Sequence, residues 1–129
     1  MKILMTATYF EPYKSGLSIY ALRVAKGLVQ LGHEVVVLTS QFKPDLALEE
    51  DLEGVKVVRL PVSMHISKGV LMHGLRAAAR RWVAWADVVN LHLPQFESPN
   101  FARECRRQGK PLGVTYHCDL EMSGSLLNR

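Results

Sequence analysis

Two hydrophobic periods alternate along the chain. Lys2 to Thr8 is a short apolar run that ends in small and polar residues, which predicts a buried strand. Pro12 and Gly16 break it within Glu11-Pro12-Tyr13-Lys14-Ser15-Gly16. From Leu17 the period changes: Leu17, Tyr20, Ala21, Val24, Ala25, Leu28 and Leu31 form one helical stripe, with Arg23, Lys26 and Gln30 outside it. Gly32 sits where a glycine would end that helix. Val35 to Thr39 is β-branched and continuous, as in a strand buried on both faces, so the first forty residues read as a βαβ unit with a right-handed crossover.

The alternation continues. Glu49, Glu50, Asp51 and Glu53 read as a solvated acidic turn, and Gly54 leads into a strand from Val55 to Leu60. Gly69 to Ala86 has a helical pattern, Val88 to Leu91 is a short strand, Pro99 to Gln108 is a weaker helix closed by Gly109, and Pro111 to Tyr116 is a fifth strand. No repeat, low-complexity tract or linker interrupts the series, and Glu121 to Arg129 shows no element of its own. The expectation is an α/β domain, a doubly wound parallel sheet over residues 1–129. Such sheets bind ligands at the carboxyl ends of their strands, where the strand order reverses. Residues 9–16, 91–97 and 116–121 are predicted to lie at that edge.

Composition narrows the function classes. At 129 residues the chain has the size of one domain, and 48% hydrophobic residues can fill a core. The net charge of +4 is mild for a nucleic-acid-binding domain, which argues against such a partner. No apolar stretch reaches the roughly 18 residues of a membrane span, and the first residues lack a secretory h-region. Cys105 and Cys118 are too few for a disulfide scaffold, so a reducing cytoplasm is the expected location.

Candidate chemistry gathers at the predicted edge. Ser15, Gly16 and Leu17 open the first helix, where free N–H groups and the helix dipole favour an anion such as phosphate. The same residues equally make a capped βα turn. One glycine is no G-x-G-x-x-G fingerprint, and no G-x-x-x-x-G-K-[ST] loop occurs, which sets dinucleotide enzymes and nucleoside triphosphatases aside. His92 and His117 each follow a predicted strand, as hydrogen-bonding, acid–base or purely structural imidazoles. His92, His117, Cys118 and Asp119 match no standard zinc spacing. Arg76, Arg80 and Arg81 lie beside Trp82 and Trp85, which suits either contact with an anionic membrane surface or an ordinary surface helix. Arg103, Arg106, Arg107 and Lys110 read as a solvated face.

Several of these segments recur together elsewhere. Met1 to Leu4, Pro12 and Gly16 before a helix, Leu31-Gly32-His33-Glu34-Val35, Asp87 to His92, and Val114 to Asp119 resemble, in this order, the N-terminal half of family 4 glycosyltransferases. The resemblance covers nearly the whole chain. It implies the Rossmann-like acceptor-side half of a GT-B arrangement, and sugar transfer with retention from a nucleotide-activated donor. It also implies no bound metal or other cofactor, and an acceptor that is a sugar or a lipid. Carried over, Ser15, Gly16 and Leu17 would face the donor diphosphate. His117 would sit near the donor sugar as the catalytic residue, and His92 and Asp119 in its vicinity. The family's loop usually has two adjacent glycines, where this chain has Ser15 before Gly16. The paired-glutamate motif of the donor-binding half is absent from these residues, so a truncated and inactive domain is expected; apolar surface or a sheet edge uncovered by truncation would make it self-associate as a homodimer, and the family's lipid acceptors favour peripheral membrane contact through the basic helix. The alternative is a non-catalytic module that binds a phosphorylated ligand or a partner protein.

Overall fold

The computed structural model describes residues 1–7, 10, 16–66, 69–72, 74–93 and 98–116. In chain order the elements are β1 (Lys2–Thr6), α1 (Gly16–Gln30), β2 (Glu34–Gln41), β3 (Glu49–Leu52), β4 (Val55–Ile66), β5 (Gly69–Met72), α2 (Leu75–Trp85), β6 (Val88–Leu93), α3 (Ser98–Gln108) and β7 (Leu112–Tyr116). The sheet runs β3-β4-β2-β1-β6-β7, and β5 pairs with the far part of β4. Strands β4, β2, β1, β6 and β7 are mutually parallel, while β3 and β5 each run antiparallel to β4.

Alternation along the strands builds a core on each face. Ile3, Met5, Val35, Val37, Val55 and Val57 pack with Ala21 and Ala25 of α1. Leu4, Val36, Leu38, Val58, Val89 and Leu91 pack with Ala79, Trp82 and Val83 of α2 and with Phe101 and Cys105 of α3. Each fully buried Val or Leu contributes about 1.5–3 kcal/mol, so these central strands hold most of the stability. With α1 on one face and α2 and α3 on the other, the fold is the expected doubly wound, Rossmann-like α/β sheet.

Local signals explain the boundaries. Gly32, at φ 96°, donates to the Val29 carbonyl at 2.9 Å, and His33 donates to the Leu28 carbonyl at 3.1 Å. This pair of bonds is a Schellman motif, and it ends α1 at the predicted glycine. Asp87 fastens the start of β1: its carboxylate accepts from the Lys2 backbone N–H at 2.7 Å, and its own N–H donates to the Lys2 carbonyl at 2.7 Å.

Three expectations are corrected. Glu49 to Leu52 is not a turn but the edge strand β3, and the turn is confined to Glu53 and Gly54, at φ 51° and 92°. Two positive φ values joining paired antiparallel strands are the signature of a type I′ hairpin. Gly69 to Ala86 is not one helix: Gly69–Met72 pairs with β4 as β5, and α2 starts only at Leu75, after Gly74 at φ 75°. Finally, β4 and β6 outrun their predicted ends at Leu60 and Leu91 to reach Ile66 and Leu93.

Candidate functional site

Because its strands are parallel, the sheet brings Thr6, Gln41 and Leu93, the last residues of β1, β2 and β6, toward one edge. Between β1 and β6 the connections depart to opposite faces, and this is the switch point at which such sheets bind ligands.

Polar burial is concentrated at this edge. Among the described residues the buried polar and charged side chains are Thr6, Ser18, Thr39, Ser40, Arg59, His92 and Glu104. All but Glu104 lie here. Thr6 closes β1, Ser18 is in the first turn of α1, and Thr39 and Ser40 are near the end of β2. Arg59 pairs in register with Thr39, and His92 with Thr115 of β7. Burying a polar group costs about 1–3 kcal/mol unless it is hydrogen-bonded, and each of these six has a partner within the fold.

His92 is only 1% exposed. It is the penultimate residue of β6 rather than a residue beyond the strand, and its ring lies 6.3 Å from that of Tyr20, tilted by 57°. Tyr20 belongs to α1 and is 47% exposed, so it covers the imidazole while presenting its own surface to solvent. The sequence pattern places Tyr20 in the apolar stripe and does not single it out. Arg59 is missed for a similar reason, standing between Val58 and Leu60 in an apolar strand. Its Nη1 lies 2.7 Å from Glu50 Oε2 and donates to the Ala47 carbonyl at 2.9 Å. The one available signal is the neighbouring acidic run, which holds the carboxylate that Arg59 needs.

Gly16 is exposed at the first position of α1, and a Cβ built on it would meet no atom of the described residues within 4 Å. Packing therefore does not require a glycine there. Leu17 follows in the same first turn. Ser15, His117, Cys118 and Asp119 lie outside the described residues. The register puts Tyr116, the residue before His117 in sequence, opposite Leu93. Among the described residues no three His, Cys, Asp or Glu side chains come together as metal ligands. Cys105 is far from this edge, on α3, and burial pushes its thiol above the ordinary 9.0; Lys110 pulls it down and Glu104 adds to the rise.

The three arginines of α2 separate. Arg76 and Arg80 face α3, whereas the Arg81 guanidinium lies over the Trp82 ring at 4.7 Å. Trp82 is buried, and Trp85, partly buried, packs against the same core. Among the described residues no helix is long and apolar enough to cross a membrane.

Comparison with known proteins adds the following. The family model described as "Glycosyl transferase 4-like domain" matches residues 15–129. Sucrose-phosphate synthase from Thermosynechococcus elongatus is similar in structure, with a TM-score of 0.61 at 15% identity over 91% of this chain and 33% of that chain. The chain thus spans about a third of the length of that synthase. The C-terminal domain of PF1911 hydrogenase from Pyrococcus furiosus has a TM-score of 0.60 at 21% identity, over 88% of this chain and 90% of that one. Comparison with curated proteins gives no match.

Proposed function

The chain belongs to the glycosyl transferase 4-like domain family, and on that premise we propose that it forms the acceptor-side half of an enzyme that transfers a sugar, with retention, from a nucleotide-activated donor to an acceptor hydroxyl. The observation that carries this reading is the pair of buried polar side chains Thr6 and His92 on the two strands that flank the switch point, with Gly16 exposed at the start of α1.

Each residue then has a task. The first turn of α1 offers backbone N–H groups and the positive end of the helix dipole to the donor diphosphate. Gly16 leaves room for the phosphate oxygens to approach the backbone, with Ser15 and Leu17 flanking it. His117 hydrogen-bonds the donor sugar or stabilises charge that develops as its bond to the diphosphate breaks. His92, held behind Tyr20, and Asp119 shape the pocket around that sugar. The reaction needs no metal in this reading. The other wall of the cleft is supplied from outside these residues, so the chain by itself does not turn over.

The test compares variants in the longest product of the gene. His117→Ala lowers kcat by about 10²–10³, the usual scale for one charge-stabilising donor, and leaves the melting temperature unchanged. Gly16→Ala weakens binding of the donor with little loss of stability, because the added Cβ meets no atom of the described residues within 4 Å. An unchanged turnover in His117→Ala would count against the catalytic role. It would favour the second reading, a module that binds a phosphorylated ligand at the same edge without chemistry.

A further inference from the structure

Helices α2 and α3 cover the same face of the sheet, both begin toward its carboxyl edge, and a shallow groove lies between them. Arg76 and Arg80 line it from α2, and Asn100, Arg103, Glu104 and Arg107 line it from α3. Helical periodicity explains the convergence, since Arg76 and Arg80 are four residues apart, as are Arg103 and Arg107, and each pair shares a face. The two sets read as unrelated surface charges in the sequence, and only the packing of α2 on α3 brings them together.

The groove is not balanced in charge. Glu104, 6% exposed, receives Arg107 Nη1 at 3.3 Å and the Gln108 side-chain amide at 3.0 Å. Arg103 donates to Asn100 Oδ1 at 3.0 Å, which orients its guanidinium without neutralising it. Arg76 and Arg80 have no ion pair among the described residues. Four cations against one carboxylate leave three positive charges uncompensated around one concavity. Like charges at this helical spacing oppose folding, so the arrangement is not explained by stability.

We propose that this groove binds a phosphate group, carried either by a soluble phosphorylated compound or by an anionic lipid headgroup. A carboxylate is satisfied by a single guanidinium fork, whereas a phosphate presents several oxygens and up to two charges, and is matched by several forks at once. The first turns of α2 and α3 lie at the Arg76–Asn100 end and add their dipoles in the same sense. Ala79 is the apolar side chain in the lining, so the ligand is held by its charge and not by an inserted chain. The site is separate from the edge at Gly16, and its function does not depend on sugar transfer.

The test uses the whole chain in two arms: calorimetric titration with inorganic pyrophosphate, and co-sedimentation with phosphatidylcholine vesicles with or without phosphatidic acid. The double variant Arg76→Gln/Arg103→Gln removes two forks, and Arg80→Gln is a second, milder variant. Arg23→Gln removes the same kind of charge from the exposed side of α1, and Gly16→Val perturbs the candidate donor loop. We expect binding in at least one arm, weakened about tenfold or more in the double variant and retained in Arg23→Gln, since a lost charge-assisted bond is worth about a factor of ten. Pyrophosphate binding identifies a soluble ligand; binding to phosphatidic acid vesicles alone identifies a headgroup. Absence of binding in both arms, or an equal loss in Arg23→Gln, overturns the site. Loss in Gly16→Val alone overturns it too and returns the phosphate to the donor loop.

Discussion

A guanidinium whose side chain is wholly buried has to be compensated from within the fold, and Arg59 draws that compensation from Glu50 and the Ala47 carbonyl. The two partners differ in environment: the Glu50 side chain keeps 35% of its surface exposed, whereas Arg59 keeps none. Removing the carboxylate therefore strands the buried charge, while the freed site on the Glu50 side remains open to water. Glu50→Ala is expected to cost about 3 kcal/mol, the lower end for breaking a buried pair because the Ala47 carbonyl still accepts. Urea denaturation measures it, and a loss below about 1 kcal/mol would mean that water screens the pair. At this scale the sequence is legible where chemistry is local. Gly32 announces its own left-handed cap, because the chain needs a residue there without a Cβ. Arg59 and Tyr20 do not announce themselves, since their roles depend on partners from other elements.

Among elements, the hairpin between β3 and β4 shows how a turn can be doubly specified. Gly54 has φ 92°, and a Cβ there would come within 2.8 Å of Val29 Cγ1 on α1. Gly32, at φ 96°, has open space around it. Alanine at Gly32 should cost about 1 kcal/mol, from backbone strain alone. Alanine at Gly54 should cost about 2–3 kcal/mol, since the clash with a helix adds to the strain. Thermal melting of the two variants compares them, and equal losses would show that Val29 moves aside freely. The elements missed by periodicity have physical explanations. β3 is acidic because it is a half-exposed edge strand, so it lacks the apolar pattern of its neighbours. The apolar run Val70-Leu71-Met72 fits either period, and only pairing with β4 decides for a strand.

For the molecule as a whole, the strand order fixes where stability resides. β1 and β2 have partners on both sides and a packed core on each face, whereas β3 and β7 end the order among the described residues. Amide hydrogen exchange should accordingly be slowest in β1 and β2 and fastest, among the strands, in β3 and β7. Uniform protection across the sheet would contradict this gradient. Strand–helix alternation was sufficient to expect the carboxyl edge as the site and the two layers of helices, because both follow from the handedness of the crossovers. The arginine groove was not legible, since it exists only where two helices separated by a strand come to lie side by side. The central place of β1 has one more consequence, for synthesis. It leaves the ribosome before its partner strands, and the Asp87 carboxylate that fastens it comes 85 residues later. At about 5–20 residues per second, the nascent chain carries one flank of this core strand unpaired for roughly 4–17 s. During that interval, solubility depends on whatever shelters the exposed edge, and a pause in translation ahead of β6 would prolong the hazard.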